Sequence, residues 1–395
     1  MLAAHWDLDP TIDFLNHGSF GACPRAVLER QTALRAQLER EPVRFFLREL
    51  PGLLEGARAA LARFVGADPA DLAAVPNATA GVSTVLRSLD LAPGDELLTT
   101  DHAYGACKNA LADVAARAGA RVVFARLPWP LEAEDQVVDA VVAAVTPRTR
   151  LALLDQVTSP TGLVLPLPRL VAALAARGVE SLVDAAHAPG MIDVDLDRTG
   201  AAYTTGNCHK WVCAPKGAAF LHVRRDLQPR VRPLAISHGA TQPLGASTRF
   251  RLEFDWTGTS DPTPFLCVPA ALEHLAGLVP GGWPALRARN RALALDARRT
   301  LAAALGVAPP APESMIGALA ALPLPDAPAG STLSRDLTEP LQDALLERFR
   351  IEVPIVPWPA RPRRLVRISA QLYNHPEQYA RLGRALGSLL AGERA

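Results

Sequence analysis

Between about residues 70 and 225 the chain repeats one pattern: a short β-rich run, a polar break, an amphipathic helix, then another run. Seven runs stand out: LAAVPN, DELLTT, RVVFARL, RLALLDQV, SLVDAAH, AAYTTGN and GAAFLHV. Helices between them include TAGVSTVLRSL, YGACKNALADVAARAG and LPRLVAALAARG, whose apolar residues recur at helical spacing. Parallel strands need crossovers of this length, so the alternation predicts a mainly parallel sheet with helices on both faces. Ligands of such sheets collect at the carboxyl ends of the strands, which directs attention to the residues just after each run.

The flanks read differently. Pro24 suits a helical first turn, and PRAVLERQTALRAQLEREPVRFFLREL continues at helical spacing, with a second helix around 52–65. After about residue 226 a stretch rich in Pro, Gly and Thr reads as an irregular excursion. Helical patterns return near 262–305, and LVRISAQLYN reads as a strand that enters a last helix, roughly 375–391. The expected organisation is an N-terminal helical segment (1–60), a large domain (61–255) and a smaller α+β C-terminal domain (256–395).

Composition excludes some functions. With 41 basic and 40 acidic residues, the net charge of +1 gives no electrostatic footprint for nucleic acid or an anionic membrane. No apolar run of about 18 residues appears, and the opening MLAAHWDLDP lacks a basic stretch followed by an apolar one. Five scattered cysteines, an odd number, suit a reduced compartment. The expectation is a cytoplasmic protein with no nucleic-acid or membrane partner.

Only three lysines occur among the 41 basic residues, and two of them lie in GNCHKWVCAPKG, 206–217. Cys208, His209 and Cys213 are too few and too irregularly spaced for a closed metal site, so no metal is expected. Neither cysteine sits beside a recognisable His and Asx partner pair, and buried inert cysteine is the commoner case, so an activated thiol is poorly supported. Lys210 remains, and lysine's distinctive asset is an amine whose pKa can fall far enough for Schiff-base chemistry. A lysine that holds pyridoxal 5′-phosphate requires an acid for the pyridine nitrogen, donors for the phosphate and a group against the ring. Asp184 ends a run that reads as buried, where an unpaired carboxylate is costly. Asn77 and Thr79 in PNATAGVST fall at a helix start, where free N–H groups favour a phosphate. His102 and Tyr104 in TDHAYGA come after another run, and either suits the ring face.

These segments, in this order, resemble the class V aminotransferase family of fold type I pyridoxal phosphate enzymes, and most of all its isopenicillin N epimerase-like branch. FLNHGSFGACP, PNATAGVST, TDHAYGACKNAL, VTSPTGLVLPLPRL, LVDAAHAPGMIDVDL, GNCHKWVCAPKG, WTGTSDPTP and RISAQLYN carry the likeness over essentially the whole chain. The resemblance implies an α/β fold with a seven-stranded, mainly parallel sheet, and a homodimer that acts on a small amino-acid substrate. It implies that Lys210 bonds the cofactor and moves the Cα proton, with Asp184 on the pyridine nitrogen. His187 and Ser159 would adjoin the ring hydroxyl. Ala78, Thr79, Asn207 and His209 would hold the phosphate, and Thr259 would reach the phosphate of the neighbouring subunit. His102 or Tyr104 would lie against the ring, Tyr104 also serving as a second acid. Arg367 would bind the substrate carboxylate, with Asn16 and His17 lining the substrate pocket. Arg367 has support of its own: in RLVRISA it faces away from Val366 and Ile368, as a fork-shaped carboxylate clamp on a strand would.

No cysteine occurs after Cys267, so the nucleophilic thiol of a cysteine desulfurase is missing. Gln156 and Ser260 stand where the branch commonly has His and Arg. The expected activity is epimerisation or racemisation at Cα; carbon–sulfur cleavage of an S-substituted cysteine, or a decarboxylating or transaminating outcome, is the alternative, in secondary metabolism by analogy. A non-catalytic cofactor-fold binder is disfavoured by the intact set Lys210, Asp184 and Arg367.

Overall fold

The computed structural model describes residues 2–334 and 338–394. Its strands are β1 (Asp13–Phe14), β2 (Leu72–Val75), β3 (Glu96–Thr100), β4 (Arg121–Ala125), β5 (Thr149–Asp155), β6 (Glu180–Asp184), β7 (Tyr203–Asn207), β8 (Ala219–Val223), β9 (Leu319–Leu324), β10 (Ile351–Glu352), β11 (Ile355–Pro357) and β12 (Arg364–Ser369). The seven runs read from the sequence become β2 to β8, and these form one sheet in the order β2-β8-β7-β6-β5-β3-β4. Strands β3 to β7 pair in parallel, while β8 runs antiparallel between β7 and β2. The reversal at β8 has a functional consequence. The chain leaves β7 at Asn207 and returns at Ala219, so the segment between them, which carries Lys210, folds back over the carboxyl end of the sheet.

Helices on the two faces bury the apolar sides of the sheet, and sequence spacing sets which sides they offer. In Leu167–Ala175, which packs on β6, Leu167, Leu170, Val171 and Leu174 are buried, a stripe that repeats every three to four residues. Gly81 lets the helix Ala78–Arg87 approach β7 closely, since a Cβ there would lie 2.1 Å from Thr205 Oγ1. The close approach brings the first turn of this helix to the end of β7.

The C-terminal unit is a three-stranded antiparallel sheet, β11-β12-β9, packed against the helices Gly282–Leu305 and Pro376–Arg394. Strand β1 pairs in parallel with β10, so the N-terminal segment crosses to this unit and passes over the large sheet on its way. The excursion after residue 226 is more ordered than its composition suggests: Arg249–Asp255 is a helix whose N-cap, Thr248, accepts from the Arg251 N–H. At seven residues it is too short for periodicity to reveal.

Candidate active site

Strands β5, β6 and β7 end in Asp155, Asp184 and Asn207, and all three side chains line one cavity of about 450 Å³. That volume suits a small organic ligand. Lys210 and His209 line it from the returning segment, Ala78 and Thr79 from the helix start, Tyr104 and Ser159 from loops after β3 and β5, and His187 from beyond β6. With Asn77 beside Ala78, ten of the residues singled out in the sequence therefore line one cavity, with Asp184 the buried carboxylate among them.

The protonation of Lys210 is set by its neighbours. The Trp211 indole N–H donates to His187 Nδ1 at 3.4 Å, and an indole only donates. A neutral His187 then carries its proton on Nε2, which lies 3.2 Å from Lys210 Nζ and can donate to the amine once Lys210 has lost its proton. Burial, with the Arg367 charge nearby, lowers the Lys210 pKa to about 8, so the neutral amine forms far more readily than in an ordinary lysine, although the protonated form still predominates at pH 7. Burial likewise holds His187 well below its ordinary value, helped by Lys210 and Arg367. The arrangement brings a nucleophilic amine within reach near neutral pH at the cavity floor.

At the helix start, Ala78 N–H donates to Asn207 Oδ1 at 2.8 Å and Ala80 N–H to Asn77 Oδ1 at 2.9 Å. Two of the first helical N–H groups are thus used, which leaves the Thr79 N–H and hydroxyl, with the Asn207 amide N–H groups, as donors for an anion. His209 lies 3.1 Å from the Ala218 carbonyl through Nδ1, and burial lowers its pKa to about 4. Its Nε2 is then an acceptor, and a bound phosphate dianion would favour its protonation.

Arg367, 5 % exposed, stands just behind the wall. Its fork donates to the Ser159 carbonyl and hydroxyl and to Ser19 Oγ, and Nε has no partner among the described residues. No carboxylate pairs with it among those residues, and burial lowers its pKa to about 10. A buried guanidinium without a counter-ion is poised for an anionic ligand.

Other residues lie elsewhere. His102 is fully buried in an aromatic nest, its ring centroid 4.5 Å from that of Trp358 and 5.6 Å from that of Trp129, with Nδ1 2.8 Å from Thr161 Oγ1. Tyr104, and not His102, borders the cavity. Asn16 donates to Glu352 and accepts from Ser19, while His17 joins Tyr373 OH at 2.8 Å and the Lys210 carbonyl at 3.0 Å. Both lie behind the wall, and their neighbours Ser19 and Phe20 line it instead. Thr259 is exposed beside a separate hollow that includes Arg35, Phe46 and Asp261. Gln156 does not reach the cavity, because Asp155 and Val157 on either side of it do. Among the described residues no cluster of three or more His, Cys, Asp or Glu could hold a metal ion.

Sequence reasoning passed over Asp155 and Cys107. Asp155 ends an apolar run one strand across from Asp184 and in register with it, a signal available in RLALLD beside SLVD. The Cys107 thiol donates to Asp184 Oδ2 at 3.1 Å and the Ala186 N–H to Oδ1 at 2.9 Å. The cavity therefore holds groups that pyridoxal phosphate requires: an amine of lowered pKa, an acceptor carboxylate for the ring nitrogen, donors for the phosphate and Tyr104 at its border.

Comparison with known proteins gives the same picture. A family model described as aminotransferase class-V matches residues 27–301. Isopenicillin N epimerase from Streptomyces clavuligerus is 39 % identical over 98 % of this chain and 99 % of its own. A probable chloroplastic L-cysteine desulfhydrase from Arabidopsis thaliana is 32 % identical over 97 % of this chain and 84 % of its own. Among solved structures, a cystine C-S lyase superposes with TM-score 0.77 at 22 % identity over 96 % of this chain and 98 % of its own. A cysteine desulfurase from Escherichia coli gives 0.77 at 21 % over 98 % and 97 %. These structures establish the fold: that of the pyridoxal phosphate enzymes of fold type I.

Proposed function

Because this chain belongs to the aminotransferase class-V family, whose cofactor is pyridoxal 5′-phosphate, we propose that it epimerises an amino-acid substrate at Cα. The observation that carries this reading is the pairing of Lys210, whose amine pKa burial lowers to about 8, with a counter-ion-free Arg367 guanidinium beside the cavity. Bound there, the cofactor supplies an aldehyde for the substrate amine and a ring that draws electrons from the bonds at Cα. Lys210 would hold the cofactor and then take the Cα proton. Arg367 would orient the substrate carboxylate, Asp184 would keep the ring nitrogen protonated, and Thr79, Asn207 and His209 would hold the phosphate. Tyr104, 46 % exposed at the mouth, is the residue for returning a proton from the other face.

A second reading, carbon–sulfur cleavage, is favoured by the plant desulfhydrase relatives. Both outcomes begin with loss of the Cα proton; they diverge when a proton returns to Cα in one and sulfur leaves Cβ in the other. A desulfurase reading lacks its thiol: no cysteine occurs after Cys267, and none lines the cavity among the described residues. The proposal also includes a homodimer. Phe20, Val43 and Leu47 are 75 %, 62 % and 71 % exposed, apolar surface that a second copy would cover, and Thr259 would serve the partner's site.

The test is incubation in heavy water with isopenicillin N and, separately, with L-cysteine, the compounds for which the relatives are named. Deuterium at Cα of recovered, inverted substrate supports the epimerase; ketoacid, ammonia and sulfide support the lyase; neither product from any amino acid tried overturns both. Lys210→Ala should abolish turnover by at least about 10⁴-fold, and normal turnover in that variant refutes the assignment.

A further inference from the structure

The cavity floor holds a carboxyl group that the proposed epimerisation does not use. Asp155 is 2 % exposed and Asp184 4 %, and the two are register partners on adjacent parallel strands, whose spacing is about 4.8 Å. Both line the same cavity. Asp184 accepts at each oxygen, from the Ala186 N–H and the Cys107 S–H, so its surroundings are those of a carboxylate. Asp155 has no such set. Its Oδ2 has no hydrogen-bond partner among the described residues, and no Lys or Arg pairs with it there.

We propose that Asp155 and Asp184 act as one carboxyl pair that holds a single proton, with Asp155 the neutral positioning partner, so that the floor presents one negative charge to the cofactor ring.

The groups packed around Asp155 favour this arrangement. Asp184 faces it from β6, from the helix Gly105–Ala118 come the neutral Cys107 thiol and Lys108, and from that helix's N-cap comes the main-chain N–H of Tyr104. Burial and the Asp184 charge together raise the Asp155 pKa well above the usual carboxylate range, against smaller opposing effects from the Tyr104 N–H and Lys108. Two anions side by side in a desolvated floor repel, and one proton removes the repulsion. A single net charge suits a protonated ring nitrogen, and the free Asp155 hydroxyl becomes a donor that fixes Asp184 or the ring edge. Neither bond making nor bond breaking is assigned to Asp155; it acts through its neighbour. The inference rests on the reading of Asp184 as partner of the ring nitrogen.

Infrared difference spectra of the cofactor-free protein, parent minus Asp155→Asn at neutral pH, report the charge directly. The expected result is the C=O stretch of a protonated carboxylic acid, shifted on exchange into heavy water; a carboxylate band in its place overturns the proposal. With ¹⁵N-labelled pyridoxal phosphate bound, Asp155→Asn should leave the ring-nitrogen signal unmoved and the cofactor Kd within about twofold, since amide and carboxylic acid both donate without charge. Asp155→Ala should weaken cofactor binding about tenfold through the lost donor. A ring-nitrogen signal that moves toward the unprotonated form in Asp155→Asn, or an Asp155→Ala variant that matches the parent in Kd and ring signal, overturns the proposal. If the parent takes up no cofactor, the proposed function fails, while the infrared measurement still decides the charge on Asp155.

Discussion

At the scale of single residues, the cavity trades stability for reactivity. Lys210 is desolvated without a close carboxylate partner, and its lowered pKa measures the cost. The unfolded lysine keeps its proton up to about pH 10.4, whereas the folded one releases it near 8. Stability therefore rises with pH between those values, and below 8 the penalty is fully present. Replacing Lys210 with Met should stabilise the cofactor-free protein at pH 7 by about 1–2 kcal/mol, less than the full linkage value because the amine borders the cavity. Urea denaturation checks this, and an unchanged or lower midpoint would contradict a strained lysine. Arg367 behaves differently, because its five donors form a fork. Arg367→Lys keeps the charge but loses the two-pronged grip on a carboxylate, so KM should rise about 10- to 100-fold with a smaller change in kcat. Equal losses in both would mean that the fork serves the reacting atoms and not substrate orientation.

At the scale of elements, the Lys210 segment is held from outside the large sheet. His17 lies 3.0 Å from the Lys210 carbonyl, and Lys216 donates to the Gly21 carbonyl at 3.0 Å. Gly21 takes φ +72°, and a Cβ there would lie 2.2 Å from the His209 carbonyl oxygen. Gly21→Ala is expected to cost about 2 kcal/mol or more, from left-handed backbone and from main-chain overlap, and to loosen cofactor retention because the segment that shifts carries Lys210. Denaturation with and without cofactor checks it; an equal loss in both states would show that the lysine segment stays in place. This coupling explains what the N-terminal motif conceals in sequence. FLNHGSFGACP reads as pocket lining at Asn16 and His17, yet the chain turns so that Ser19 and Phe20 face the cavity while Asn16 and His17 brace it. A motif marks which segment reaches a site, but the local turn decides which side chains enter it. The same limit applies to TDHAYGA, where Tyr104 borders the cavity and His102 is drawn back by Trp129 and Trp358, residues far away in sequence.

At the scale of the whole molecule, the features with a short-range cause were legible. Each strand of the large sheet lies within a β-rich run or begins one residue before it, and that placement puts Asp184 and Asn207 at strand ends. Long-range juxtaposition was not: β1 with β10, Asp155 opposite Asp184, and Cys107 against Asp184 depend on which strands become neighbours, which no local pattern states. The folded molecule's titration is another whole-chain property. His17, His102, His187, His209 and His222 are all shifted down by burial, His17 to about 3 and His102 and His209 to about 4. Unfolded, each takes a proton near pH 6.5. As pH falls below that value the unfolded chain binds protons that the folded one refuses, so stability declines toward the folded pKa values, by up to about 1.4 kcal/mol per pH unit for each histidine. Asp155 acts in the opposite sense above about pH 4, because its folded form keeps a proton that the unfolded one releases. Near pH 5.5 the cofactor-free protein should therefore take up about three protons on unfolding, the histidines outweighing Asp155. Urea midpoints measured from pH 7.5 to 5 give this number from their slope. Uptake of fewer than about one proton would mean that the buried histidines are charged in the folded state, and the neutral His187 beside Lys210 would be lost with them.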